Sequence, residues 1–292
     1  MKSGLKKIVY AIFKFSLFEK LLRLFVRDKY VTFFLVKFIP PNSTYKKGEY
    51  RKVRKENLVL HADLFDYNDW KAYWGLKEIE RENLYQLSRE ATTVVDVGVN
   101  NGWVLMNLSL IVGRNDGFVY GFEPHPVSYA RCMKNIVDSN LKNCHVFNKA
   151  CGEYEDKMVM VTEKESNSGQ NRIDFRRKIL IGNDQVKVDI TTLDRELGHI
   201  EKIDVMKIDV EGFELNALKG GTRLFEKHRP VLFIEVNDKL LRANNTSPQE
   251  LLLFLKSRYG YEFHNAATGN RINISENFTG CHMDVICKFR NK

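Results

Sequence analysis

The sequence predicts an α/β fold: a mainly parallel β-sheet covered on both faces by helices, with an antiparallel final strand at one edge. Three observations carry this. Apolar, β-rich stretches alternate with helical ones from residue 78 onward, the rhythm of right-handed βαβ crossovers. One stretch, Thr93-Val94-Val95-Asp96-Val97, breaks abruptly into Gly98-Val99-Asn100-Asn101-Gly102, and helix-like sequence follows. The last two strand-like stretches, 261–264 and 283–289, are joined by a polar loop, which lets them pair antiparallel.

The chain has 292 residues, 43% hydrophobic and 28% charged, enough for one large or two small domains with a real core. Residues 5–38 are rich in Phe, Leu, Ile and Val, yet no apolar run approaches the roughly 20 residues that span a bilayer. No small-residue cleavage site follows, which argues against a secretory signal peptide. Leu5, Ile8, Val9 and Ile12 share one helical face, with Lys6, Lys7 and Lys14 opposite. After Ser16 the apolar face moves to Leu17, Leu21, Leu24 and Phe25, opposite Lys20, Arg23 and Arg27. Two short amphipathic helices or one kinked helix satisfy both halves. Such a segment lies in a membrane interface, or it packs on the body or on a second subunit; the pattern leaves both open. Pro40-Pro41 and the polar stretch to Asn57 read as a linker. The expected division is a helical extension and linker over 1–57 and a globular domain over 58–292.

Within that domain, 78–90 reads as a helix with Ile79, Leu84 and Leu87 inward. Strands are expected at 93–97, 118–122, 145–148, 205–208 and 231–236, and helices at 103–111, 127–139, 213–219 and 248–258. The stretch 152–190 breaks the rhythm, with short strands at 158–161 and 186–190 around a polar segment at 166–171. Five cysteines without Cys-x-x-Cys spacing suggest neither a disulfide framework nor a zinc site, so a reducing compartment is expected. The net charge of +9 is uneven: residues 1–40 carry +7 and residues 41–57 carry +4, leaving the body nearly neutral. A nucleic-acid enzyme would more often carry its positive field around the site itself.

In an open α/β sheet, ligands bind beyond the carboxyl ends of the strands. The loops placed there, 98–102, 123–126, 149–152, 209–212 and 235–238, hold Asn100, Asn101, Glu123, His125, Asp209, Glu211, Glu235 and Asn237. Asp96, inside an apolar strand, needs hydrogen-bond donors from backbone or ligand. Gly98 and Gly102 let the backbone approach a ligand. Glu123 closes the second strand, 21 residues past Gly102, where an acid suits bidentate bonding to two ribose hydroxyls. The loop has two glycines four apart, not the three of a dinucleotide fingerprint, and it lacks the Gly-Lys-Ser/Thr end of a phosphate loop. A nucleoside cofactor without phosphates suits it, and S-adenosylmethionine (SAM) is one.

With these residues in place, the chain resembles the FkbM family of class I SAM-dependent methyltransferases. Asp96 to Gly102 is similar to the family's cofactor loop, Gly121-Phe122-Glu123-Pro124 to its ribose-binding segment, and Asn148-Lys149-Ala150-Cys151-Gly152 to its adenine-side loop. Val188-Asp189-Ile190-Thr191-Thr192-Leu193-Asp194 is also similar. The strongest match runs from Ile203 through Lys207-Ile208-Asp209-Val210-Glu211-Gly212-Phe213-Glu214 to Arg229-Pro230 and Glu235-Val236. Val99 stands where a small alanine is common. The resemblance implies a three-layer Rossmann-like class I methyltransferase sheet of seven strands with a reversed final hairpin. It implies SAM as cofactor, held by Asp96, Gly98, Asn100, Gly102, Glu123, Pro124, Ala150 and Asp209. It also implies methylation of a hydroxyl oxygen, often on a sugar or natural product.

Methyl transfer from a sulfonium is an in-line displacement, helped by a base near the acceptor hydroxyl. Asp209 and Glu211 are the expected catalytic residues: Asp209 as base or acceptor-orienting group, Glu211 in support. As lesser alternatives, the same pair could hold a divalent metal or simply cap the following helix. The expected function is a cytoplasmic SAM-dependent O-methyltransferase acting on a glycan or saccharide-containing acceptor, not on nucleic acid, with residues 1–40 at a membrane surface. The alternatives are a methyltransferase for a soluble, natural-product-like small molecule and a non-catalytic SAM-binding scaffold at a membrane. The loops expected to shape the acceptor pocket are 60–75, 164–180 and 265–282.

Overall fold

The computed structural model describes residues 10–14, 16–26, 36–162, 171–174 and 185–289. The helical face expected at Leu5, Ile8 and Val9, and most of the polar segment 166–171, lie outside them. The described residues form two compact units, one reaching Lys77 and the other starting at Glu78.

In the first unit, the helix Ser16–Val26 turns a charged residue inward. Glu19 is 2% exposed and Leu22 4%, whereas Phe18 and Leu21 are 46% and 44% exposed. Glu19 accepts hydrogen bonds from Arg51 Nε at 3.1 Å and from the Tyr73 hydroxyl. The Arg23 guanidinium lies 3.9 Å from the centre of the Tyr73 ring. Residues 50–57, expected as linker, are structured. Strand β1 (Tyr50–Lys55) pairs antiparallel with β2 (Leu58–Asp63). Val53 alone is buried in β1, so that strand carries no apolar pattern for a reader to find. A helix, Tyr67–Trp74, follows, with Asp66 accepting from the Asn68 and Asp69 amides. Residues 60–75, expected as an acceptor loop, are therefore largely strand and helix.

The second unit is built on β3 (Thr93–Val97), β4 (Phe118–Phe122) and β5 (Cys144–Phe147), with β10 (Val205–Ile208) and β11 (Val231–Asn237) beyond β3. All five run parallel. After β11 come β14 (His282–Phe289), β12 (Tyr261–Asn265) and the short β13 (Arg271–Ile272). β14 is antiparallel to both of its neighbours, so the reversed strand is inserted between β11 and β12. The resemblance implies seven strands with a reversed final hairpin; the sheet has these, β14 alone of the seven being reversed, and the short β13 adds an eighth at the edge. A separate small sheet is formed by β6 (Ala150–Cys151), β7 (Asp156–Thr162), β8 (Asn171–Asp174) and β9 (Gln185–Thr191).

Strand alternation divides the sheet into two faces. Val95, Val97, Met206, Ile208, Leu232 and Ile234 enter one core with residues of the helices Leu193–Leu197, Glu214–Lys219, Thr222–His228 and Pro248–Tyr259. The helix Trp103–Val112 packs on β3, β4 and β5. Expected helices and strands fall within a few residues of those seen. Three short helices of this unit, Leu193–Leu197, Thr222–His228 and Asp238–Ala243, were not expected. Ile79, expected inward, is 62% exposed, while Leu84 is buried. All five cysteines are free.

Candidate functional site

The pairing of β3 with β10 sets Asp96 beside Lys207. Both lie one residue out of phase with the apolar core positions, so they share the opposite face. Lys207 Nζ sits 3.1 Å from Asp96 Oδ1, 3.2 Å from the Gly98 carbonyl and 3.2 Å from Asp209 Oδ2. Burial alone would pull the Lys207 pKa down, but Asp209 and Asp96 together hold it above its ordinary value. Burial pushes the Asp96 carboxyl up against the pull of Lys207. Asp96 is wholly buried and its Oδ2 has no hydrogen-bond partner among the described residues.

Glu123 follows β4, is 6% exposed, and closes around the glycine loop. Its Oε2 accepts from the Asn100 amide at 2.7 Å and its Oε1 from the His125 amide at 2.9 Å. Burial nevertheless raises its pKa to about 7. Asn148 Nδ2 donates to the Glu123 carbonyl at 2.8 Å and the Pro124 carbonyl at 3.1 Å. Asn100 takes a left-handed φ of 54°. Gly98 has φ +92°, and a Cβ there would sit 1.9 Å from the Asp209 carbonyl oxygen. A Cβ at Gly102 would meet Cys132 Sγ at 2.6 Å. Both bare α-carbons thus face protein: the glycines bring β10 and the helix Pro126–Asp138 against the loop. Ala150 is buried in β6 opposite Ile190, in a small apolar cluster with Phe213.

Asp209 follows β10, its amide donating to the Val97 carbonyl at 3.0 Å. Glu211 has a left-handed φ of 54°. Neither caps the next helix. The helix Glu214–Lys219 has no side-chain cap among the described residues; its first residue, Glu214, reaches back instead, its Oε1 accepting from the Val210 and Gly212 amides at 3.1 and 3.0 Å. Glu214 therefore fixes the loop that carries Asp209 and Glu211. Burial, with Glu235, Asp209 and Glu214 nearby, raises the Glu211 pKa well above the usual carboxylate range. Burial and Glu235 raise that of Glu214 to about 8.

From β11 and β14 come three groups that sequence reading left unassigned or undecided: Glu235, Asp284 and His282. Glu235 and Asp284 are register partners, as are Asn237 and His282. His282 Nε2 lies 2.8 Å from Glu235 Oε1. Burial, Asp209 and Glu235 raise the Asp284 pKa to about 7. Asp209, Glu211 and Glu235 each bring one carboxylate oxygen within 4.8 Å of the others, a spacing a divalent cation can bridge. Lys207 already pairs with Asp209, and His282 with Glu235. His125 sits outside this group as the N-cap of the helix Pro126–Asp138.

A family profile described as the methyltransferase FkbM domain matches residues 96–263. This chain belongs to the FkbM methyltransferase family. SAM is the cofactor of that family, and the expectations of family, fold class and cofactor agree with this match. Among solved structures, the chain is similar to the methyltransferase FkbM from Methylobacillus flagellatus KT, at 18% identity and a TM-score of 0.42, covering 92% of this chain and 57% of that one. It thus spans just over half of that relative's length. It is also similar to an rRNA methylase from Streptococcus thermophilus, at 12% identity and a TM-score of 0.41, covering 74% of this chain and 99% of that one. A third is TYW2 of M. jannaschii in complex with AdoMet, at 15% identity and a TM-score of 0.40, covering 83% and 86%. No curated protein matches the chain.

Proposed function

We propose that this FkbM-family chain transfers the methyl group of SAM to a hydroxyl oxygen of a saccharide-containing acceptor. The observation that carries the reading is the convergence of Glu123, Asp96 and Asp209 from three adjacent parallel strands. The unpartnered, buried Asp96 Oδ2 fits a cationic ammonium group, and the Glu123 carboxyl fits a pair of ribose hydroxyls. On the cofactor side we place Asp96, Gly98, Asn100, Gly102, Glu123, Pro124, Ala150 and Asp209. When bound, SAM supplies an electrophilic methyl group on a sulfonium. Asp209, held by Lys207, orients the acceptor hydroxyl, with Glu211 in support.

Carboxyl groups dominate the acceptor side: Asp209, Glu211, Glu235 and Asp284. They suit neutral hydroxyls and repel phosphates, which favours a saccharide over a nucleic acid. A basic N-terminal segment ahead of a catalytic domain belongs to the same reading. So does a cytoplasmic, peripheral place on a membrane. Among the described residues no helix is long and apolar enough to cross a membrane. Ile12, Phe18 and Leu21 are exposed beside Lys20, the arrangement of a helix lying in an anionic interface.

The test is transfer of tritiated methyl from SAM by the full chain into a membrane lipid extract. Label in the acid-released carbohydrate supports the reading; label in lipid or nucleic acid alone contradicts the saccharide. In parallel, sedimentation with phosphatidylglycerol vesicles should be lost in Phe18→Glu/Leu21→Glu. Sedimentation unchanged by those substitutions removes the membrane helix from the proposal.

A further inference from the structure

His282 opens β14 at the carboxyl end of β11, where it pairs in register with Asn237. That places it on the sheet edge that also carries Asp209. Its ring is 65% exposed, and Nε2 is engaged by Glu235 Oε1 at 2.8 Å. Glu235 is itself only 14% exposed, and one of its carboxylate oxygens lies within 4.8 Å of those of Asp209 and Glu211. Hence the imidazole stands at the rim of the carboxylate group, and Nδ1 has no hydrogen-bond partner among the described residues. A carboxylate that accepts from one ring nitrogen fixes the tautomer and leaves the other nitrogen as a proton acceptor.

Of the other candidates for the acceptor's proton, Asp209 already has its Oδ2 engaged by the buried Lys207 at 3.2 Å. Glu211 is surrounded by Glu235, Asp209 and Glu214, a setting that favours its neutral form. The charged groups facing His282 are Glu235 from β11, Asp284 from its own strand and Asp209 from the loop after β10. All three favour an imidazolium.

We propose that His282, oriented by Glu235, is the general base of methyl transfer; the proposal rests on the methyltransferase reading above. The acceptor O–H bond breaks and its proton passes to His282 Nδ1. The acceptor oxygen forms a bond to the methyl carbon. The carbon–sulfur bond breaks with its electron pair on sulfur, leaving neutral S-adenosylhomocysteine (SAH). The exposed imidazolium then returns the proton to solvent. Asp209 becomes a positioning residue.

The tautomer of His282 tests this without an acceptor. Nitrogen-15 spectra of histidine-labelled full chain saturated with SAH, assigned with His282→Gln, should show neutral His282 protonated at Nε2 and bare at Nδ1. In Glu235→Gln that preference should fall away. A neutral ring protonated at Nδ1, or a tautomer unchanged in Glu235→Gln, overturns the proposal. Absence of SAH binding overturns the methyltransferase reading instead, so the two failures are distinct. With methyl glycosides as acceptor probes, His282→Gln should lower kcat about a hundredfold or more at unchanged SAH affinity, the scale of a lost general base. Imidazole should restore part of the rate to His282→Ala. A wild-type kcat in His282→Gln contradicts the proposal.

Discussion

Replacing Lys207 by methionine probes the joint between the cofactor loop and the catalytic loop. The side chain is nearly isosteric, so packing changes little while the charge is lost. Lys207 is 7% exposed and serves two carboxylates and one carbonyl within 3.2 Å. At 3.1 Å and an effective dielectric of about 20, one such pair is worth about 5 kcal/mol before desolvation. Breaking a buried pair by removing one partner costs about 3–5 kcal/mol, because the other charge stays buried. Here that charge is Asp96, whose Oδ2 already has no partner. We expect Lys207→Met to lose about 3–5 kcal/mol in urea unfolding at pH 8. The sign with pH follows from Asp96. Without Lys207 its raised pKa rises further, so stability is kept at low pH, where it is protonated, and lost as pH rises. The deficit should shrink at pH 5, and Asp96→Asn/Lys207→Met should recover part of it. A loss below about 1 kcal/mol, or a double variant less stable than the single one, would refute the reasoning.

Glu123 predicts a pH-dependent affinity. If the ionised form binds the ribose, a pKa near about 7 weakens SAH binding about tenfold from pH 8 to pH 6 by calorimetry, and Glu123→Gln removes the dependence. The same raised pKa means that, without ligand, the Glu123 contribution to stability is full below about 4.5 and lost as pH rises through about 7, which thermal melts of wild type against Glu123→Gln measure. Gly98→Ala should abolish SAH binding and lower the Tm sharply, since its Cβ would meet the Asp209 carbonyl at 1.9 Å. Gly260→Ala is the control: φ is +76° but nothing lies within 4 Å, so only a left-handed penalty of about 1–2 kcal/mol is expected.

The sheet was legible because each of its parallel strands is an apolar run ending in a polar loop, and that pattern does not depend on distant contacts. Glu123 and Asp209 were found for the same reason, each standing just past the end of a strand, and Asp96 as the lone acid inside an apolar one. What stayed hidden needed partners far away in sequence. Lys207, among apolar neighbours, was legible as a residue that reaches the site or salt-bridges across the sheet, but its partner Asp96 is named only by the β3–β10 register. His282 and Asp284 acquire meaning only when β14 inserts beside β11 and faces Glu235. An acid three residues past Glu211, at Glu214, was the available signal for a loop brace, but its targets are amides of its own loop. Strand β1 escaped notice because five of its six residues are not buried. The inward turn of Glu19 follows from Arg51 and Tyr73, which no helical periodicity contains.

The most direct measurement is calorimetric titration of the full chain with SAH at pH 8, in wild type and Glu123→Ala. The expected result is one saturable site per chain, weakened strongly in the variant while its melting curve still shows a folded protein. A folded wild-type chain that gives no heat and no shift in Tm with saturating SAH would contradict the assignment of Asp96, Glu123 and Asp209 to a cofactor site.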